Sequence, residues 1–183
     1  QRGNLGRYIS SGGGSGGTGR KVEVVTTSGS QTNVQFAGID QAYKNLTIKV
    51  RGQVALAGVA TRQVRLKING LSSASGNWNM REMINTGVVN TAAGGETSQL
   101  IGELPMNTND YQRGQTTCLI NDYTDAATNK SLSFFGSCYS TGITVFDGGG
   151  LWNVTGAITQ LDVFLEGGNA FTNGSMVELI LET

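Results

Sequence analysis

The sequence contains no histidine, a single proline and few charged residues. Without imidazole the chain lacks the commonest general base and the commonest metal ligand, which excludes Ser-His-Asp and Cys-His catalytic arrangements. Its two cysteines are too few for an all-thiolate zinc site. No apolar run approaches the roughly 20 residues of a membrane-spanning helix, and no signal-peptide pattern is present. We therefore expect no enzyme, no cofactor, no metal site and no membrane insertion.

Charge is both scarce and balanced. Charged residues make up 14% of the chain, and 13 basic residues match 13 acidic ones. A neutral chain has no global field that would attract nucleic acid, so we expect no nucleic-acid partner. The same sparse charge protects a surface poorly against self-association, which is tolerable for a protein that lives in an assembly.

The carboxylates best placed for chemistry lie in turns. Residues 107–110 and 121–125 bring Asn and Asp oxygens together, as a calcium loop would. Neither segment has the Gly and the distal Glu of a calcium loop, so hydrogen-bonded Asx-turns are the favoured interpretation. The sequence does not indicate hydrolysis by paired carboxylates either, because nothing in it brings two acidic side chains together. The carboxylates considered are Asp110, Asp122, Asp125 and Asp147.

Glycine is abundant, at 28 of 183 residues. Residues 12–19 consist only of Gly, Ser and Thr, which is a flexible linker composition. We predict a flexible arm over residues 1–20 and a single domain over residues 21–183. Three apolar residues ahead of the linker would anchor the arm on a neighbouring subunit: Leu5, Tyr8 and Ile9.

From residue 21 the sequence alternates between short apolar stretches and turns rich in Gly, Ser and Asn. Leu46, Ile48 and Val50 face one way while the residues between them are polar, which is the period of a half-buried strand. No window carries a convincing helical stripe, and residues 78–84 are the nearest candidate. About ten antiparallel strands predict an all-β, jelly-roll-like β-sandwich. The predicted strands span residues 21–27, 33–36, 45–56, 62–69, 77–84, 99–104, 115–123, 132–139, 158–165 and 176–181.

The last two predicted strands are separated by a Gly- and Asn-rich connection, residues 167–175. Such a connection supplies the positive-φ positions that a long antiparallel turn needs. We predict that the chain closes with a β-hairpin and that its final strand lies inside a sheet.

Cys118 and Cys138 flank a turn-like segment, residues 125–130. Facing residues of an antiparallel hairpin have a constant index sum, so a turn centred on Thr128 would make the two cysteines cross-strand neighbours. A disulfide is one interpretation of that pair. Two reduced thiols that fill a core are the other interpretation, which a reducing compartment would favour.

Several packing and turn residues match a pattern found in virion proteins of tailed bacteriophages. The chain resembles a β-rich domain of tail-fibre and minor structural proteins, although Asp40 stands where that domain usually has proline. The match covers roughly residues 20–183 and is carried by residues 36–46, 66–70, Asn77, Trp78, Trp152, 157–159, Asn169, Phe171 and 174–175.

The resemblance implies a fold and a setting, and no active site. We expect a non-enzymatic virion structural protein of the tail or fibre apparatus, assembled in the bacterial cytoplasm and in contact with the host surface. A homo-oligomer, with three copies favoured, would join other virion proteins. Head or neck decoration is the alternative position.

The second functional class is a carbohydrate-binding module. Exposed aromatic side chains can stack on sugars while amides bind hydroxyl groups. Trp152 occupies a packing position in the resemblance, so it is assigned to the core. The predicted contacts with a host glycan or a partner are Tyr111 and Asn109.

Overall fold

A computed structural model of the protein describes residues 6–12, 19–29, 31–58, 60–71, 76–84, 87–107, 113–139 and 142–183, with the backbone alone for 6–12. Thirteen strands are present in the described residues, together with a single 3₁₀ turn at Glu166–Gly168. In chain order the strands are β1 Gly6–Gly12, β2 Arg20–Ser28, β3 Asn33–Ala37, β4 Asn45–Gly52, β5 Thr61–Ile68, β6 Gly76–Ile84, β7 Gly87–Glu96, β8 Gln99–Pro105, β9 Gly114–Ile120, β10 Lys130–Tyr139, β11 Ile143–Trp152, β12 Gln160–Leu165 and β13 Asn173–Glu182.

The strands form two antiparallel sheets, which confirms the predicted all-β sandwich. The large sheet has the order β1-β2-β13-β4-β9-β10-β11-β6-β7, and the small sheet has the order β3-β12-β5-β8. β8 lies across the inner face of β9, β10 and β11. Each sheet therefore buries one face against the other and leaves one face outward.

Each predicted strand is present, and three strands that were not predicted complete the large sheet: β1, β7 and β11. β1 pairs with β2 from Gly6↔Thr26 to Gly12↔Arg20. Residues 6–12 thus form an edge strand, which corrects the prediction that they belong to a flexible arm. Residues 78–84, the nearest candidate for a helix, lie in β6, in agreement with the strand predicted over residues 77–84.

The predicted closing hairpin is wrong. β12 pairs with β3 and β5 in the small sheet, whereas β13 pairs with β2 and β4 in the large one. The connection between them, residues 166–172, therefore crosses from one sheet to the other. The prediction that the final strand lies inside a sheet is confirmed, since β13 has a neighbour on each side.

The inner faces of the two sheets meet in one hydrophobic core. Trp152 is 1% exposed, as its packing assignment predicted. The residues of β4 and β5 that alternate toward the core are all buried: Leu46, Ile48, Val50, Val64, Leu66 and Ile68.

Two glycines make room for aromatic rings where β10 and β11 cross the core. Phe134 faces Gly148, and Gly136 faces Phe146, across the β10–β11 ladder. A Cβ on Gly148 would lie 2.5 Å from Cζ of Phe134, and one on Gly136 would lie 2.6 Å from Cζ of Phe146. Each ring thus occupies the space that a facing side chain would need.

Candidate binding surfaces

The outer face of the large sheet carries a contiguous group of exposed apolar side chains. Val88 faces Met83, Met83 faces Val145, and Tyr139 faces Ile143 across neighbouring strands. These five side chains are between 45% and 63% exposed. We call them the apolar patch: Met83, Val88, Tyr139, Ile143 and Val145. Side chains of this size and exposure, gathered in one place, are typical of an interaction surface.

The hairpin of β6 and β7 also exposes apolar side chains on its other face. Ile84 and Val89, which point to the inner side of the sheet, are 38% and 47% exposed. β7 is the last strand of the large sheet among the described residues, and its segment Gly87–Glu96 contains no Lys, Arg or Pro. Natural edge strands are usually protected by such residues, so this edge is open to pairing.

The outer face of the small sheet is polar and holds an ordered carboxylate. Oδ1 of Asp162 accepts hydrogen bonds from Nδ2 of Asn33 at 3.0 Å and Nε2 of Gln35 at 2.9 Å, and Oδ2 accepts one from Nε2 of Gln160 at 2.9 Å. Burial acts to raise the pKa of Asp162, but these hydrogen bonds and the charge of Lys67 hold the pKa below its usual range. The buried carboxylate ties β3 to β12.

The carboxyl groups of Glu103 in β8 and Glu82 in β6 lie close together where the two sheets meet. Glu103 of β8 is half-buried and interacts with Thr61 and with Glu82 of β6. Burial, followed by the negative charge of Glu82, raises the pKa of Glu103 to about 7. We therefore expect the contact between the sheets at this point to depend on pH.

We expect stability to fall as the pH rises through neutrality. The pKa of Glu103 is raised from 4.5 to about 7 on folding, so its contribution is fully present below about pH 4.5 and is lost as the pH passes 7. Urea titrations should show Glu103→Gln raising the free energy of unfolding at pH 8 by about 1–2 kcal/mol, with little effect at pH 4.5. Glu178→Gln, on the outer face of β13, is the control. An unchanged pH profile in Glu103→Gln would refute this assignment.

The two cysteines are free and buried, and they are not cross-strand neighbours. Cys118 faces Phe134 in the β9–β10 ladder, whose turn is centred on Ala126 rather than Thr128. Cys138 lies beside Gly114, four residues along β9 from Cys118, a separation of about 13 Å at the usual rise per residue. The predicted pairing is therefore wrong, and the alternative of two buried thiols is what the structure shows.

Burial raises the pKa of the Cys118 thiol above its usual range and that of Cys138 to about 12. Protonated, buried thiols react slowly. We predict that Ellman's reagent titrates neither cysteine in the native protein and both in denaturant, and that a reductant leaves the melting temperature unchanged. A fall in melting temperature on reduction would show instead that a disulfide forms.

The turn carboxylates act on their own loops. Oδ1 of Asp125 accepts a hydrogen bond from the backbone N–H of Ala127 at 2.7 Å, and Oδ2 accepts one from the Thr128 hydroxyl at 2.7 Å. The bond from Ala127 is the main cause that lowers the pKa of Asp125. This confirms an Asx-turn at that position. In the described part of the chain, no three Cys, Asp or Glu side chains are grouped as a metal site would require.

The remaining predicted contacts lie largely outside the described residues. Asn109 and Tyr111 fall in the segment 108–112, and Leu5 precedes residue 6. For Tyr8 and Ile9 the backbone alone is described, paired with β2. The apolar patch was not predicted, although its members sit at the outward positions of alternating segments.

The chain matches no protein-family model, no curated protein and no solved structure. The described residues include no helix with the length and hydropathy needed to cross a membrane.

Proposed function

We propose that the protein is a non-enzymatic structural subunit that assembles with copies of itself through the apolar patch. The exposure of five large apolar side chains on one sheet face carries this proposal. Burial of such surface contributes about 25 cal/mol per Å², and a second copy of the chain offers a surface of the same kind. The open edge of β7 lies next to the patch and extends the contact.

The setting we propose is the virion of a tailed bacteriophage, in the tail or fibre apparatus, with the head or neck as the alternative. The resemblance described above supports this setting. Trp152 and Phe171, two of the residues that carry it, are buried in the core as packing residues should be. A sparsely charged, β-rich chain of neutral net charge suits a subunit held in a large assembly.

Light scattering of the purified protein tests self-association. We expect a mass that is a multiple of the 19.2 kDa chain mass, with three copies favoured. Val145→Asp places a charge in the centre of the patch and should weaken association at least tenfold, a loss of about 1.4 kcal/mol. The matched control is Ser133→Asp, an exposed position on β10 that faces the same side outside the patch. A wild-type monomer, or equal effects of the two substitutions, would contradict the proposal.

A further inference from the structure

We propose that a second site, a groove on the outer face of β4, β9 and β10, binds an acidic saccharide. Its arginines would hold a carboxylate or phosphate group, and the ring of Phe135 would contact the sugar. This site shares no residue with the apolar patch, although Ser137 faces Val145 across the β10–β11 ladder. It also lies apart from the residues 108–112 that were singled out in the sequence.

The groove consists of two adjoining depressions with volumes of about 370 Å³ and 260 Å³. They share Arg51 of β4 and Gln115 of β9. Arg113, which immediately precedes β9, lines the first depression, and Lys49 and Phe135 line the second. We call the whole the basic groove, defined by Lys49, Arg51, Arg113, Gln115, Phe135 and Ser137.

The charge of the basic groove is unusual for this chain. It gathers three of the 13 cationic side chains on one sheet face. Glu178 faces Lys49 in the β4–β13 ladder and balances its charge. Arg51 and Arg113 are exposed, and neither forms an ion pair with a carboxylate of the described residues. Within the part of the chain that the structure describes, both guanidinium groups therefore lack a carboxylate partner and can bind an anion.

The side chains around the arginines fit a sugar. A guanidinium group binds a carboxylate or phosphate through two parallel hydrogen bonds. Gln115 and Ser137 line the groove together with the arginines, and their amide and hydroxyl groups can bind sugar hydroxyls. Phe135 is 53% exposed, so its face is open to the C–H side of a sugar ring.

Other anionic partners fit the basic groove less well. β4, β9 and β10 each pair with a neighbour on both sides, so an acidic peptide has no free edge to extend. A single-stranded nucleic acid is normally bound by several stacking aromatics along a positive channel. The groove offers one ring, and the chain carries no net charge.

Titration calorimetry at low ionic strength tests the proposal with three oligosaccharides: oligogalacturonate, phosphomannan and neutral maltooligosaccharide. We expect saturable binding of one or both acidic probes, with the preferred probe identifying the anion as carboxylate or phosphate. Arg51→Gln/Arg113→Gln should weaken that binding at least about tenfold. Phe135→Leu should weaken it several-fold while leaving the fold intact by circular dichroism.

The control is Lys44→Gln/Arg62→Gln, which removes the same charge outside the groove and should change affinity less than about twofold. Failure of both acidic probes to bind would overturn the proposal, as would equal binding of the neutral one. Equal losses of affinity in the two double variants would show that binding depends on net charge alone and would contradict a site in the groove. Unchanged affinity in Phe135→Leu would show that the ring does not contact the sugar and would contradict the proposed saccharide site. None of these outcomes bears on self-association, which light scattering measures separately.

Discussion

Gly148→Ala is expected to destabilise the protein by about 3 kcal/mol, a large share of the total stability of a domain. The added Cβ would lie 2.3 Å from the backbone oxygen of Asn79 and 2.5 Å from Cζ of Phe134. The first obstacle belongs to the β11–β6 ladder and the second to a ring that is 1% exposed, so neither can move away cheaply. Urea denaturation followed by far-UV circular dichroism measures the loss.

The matched control is Gly87→Ala in β7, a strand that β6 separates from β11. A Cβ there would meet nothing closer than the backbone oxygen of Ile84 at 3.7 Å, so we expect a change within about 1 kcal/mol. Adding Phe134→Leu to Gly148→Ala should recover part of the lost stability, because it removes one of the two obstacles. Equal effects of Gly148→Ala and Gly87→Ala would refute the packing of the ring on the glycine.

Arg65→Met is expected to cost about 2–4 kcal/mol. Arg65 of β5 is 7% exposed. Its guanidinium group donates to the hydroxyl and the backbone oxygen of Ser98 at 2.7 Å and 2.9 Å, to Gln63 at 2.7 Å, and to Glu96 at 3.0 Å. Methionine keeps much of the length of the side chain and removes every donor. The buried oxygens of Ser98 and the half-buried oxygens of Gln63 and Glu96 then lose this partner.

Arg81→Met provides the comparison. Arg81, like Arg65, donates hydrogen bonds to a carboxylate: Nε and Nη2 lie 3.1 Å and 2.7 Å from Oδ1 of Asp147. Its side chain, however, is 61% exposed. Water can replace those bonds, so the expected cost is below about 1 kcal/mol. Denaturant titration of both variants measures the two losses of stability. A loss in Arg81→Met as large as that in Arg65→Met would contradict the role given to burial.

Alternation in the sequence predicted most of the fold because it reports directly which residues face the core. β4 and β5 are found where their apolar period placed them. β11 was not predicted because three consecutive glycines, Gly148–Gly150, are typical of a turn. In the structure Gly148 and Gly150 instead leave room for buried side chains of other strands. A Cβ on Gly150 would lie 2.7 Å from the backbone oxygen of Asn77, and Gln99 fills the space in front of it. That requirement comes from residues distant in the sequence.

Pairing partners were harder to predict than strands. Alternation assigns a face to each residue but does not say which sheet a strand joins, so β12 and β13 read as one hairpin although they lie in different sheets. For the cysteines, a turn centre displaced from Thr128 to Ala126 moved the partner of Cys118 from Cys138 to Phe134. Register depends on the turn and on the packing of the whole sheet.

The apolar patch could not be predicted from the sequence for a related reason. Met83 and Val145 lie at outward positions, and a sequence does not show whether a second layer covers them. The small sheet covers the inner face of the large sheet only, as the contacts of β8 show. Only a partner can therefore bury the apolar patch on the outer face, and we propose that this partner is another copy of the chain.

Reactivity of an introduced thiol measures that contact directly, because both natural cysteines are buried. Val145→Cys places a thiol in the apolar patch, and Ser133→Cys places one on the same face outside it. We predict that the rate of Ellman's reaction at Val145→Cys falls as protein concentration rises, while the rate at Ser133→Cys stays constant. Constant rates at both positions, across concentrations at which light scattering shows an oligomer, would contradict it.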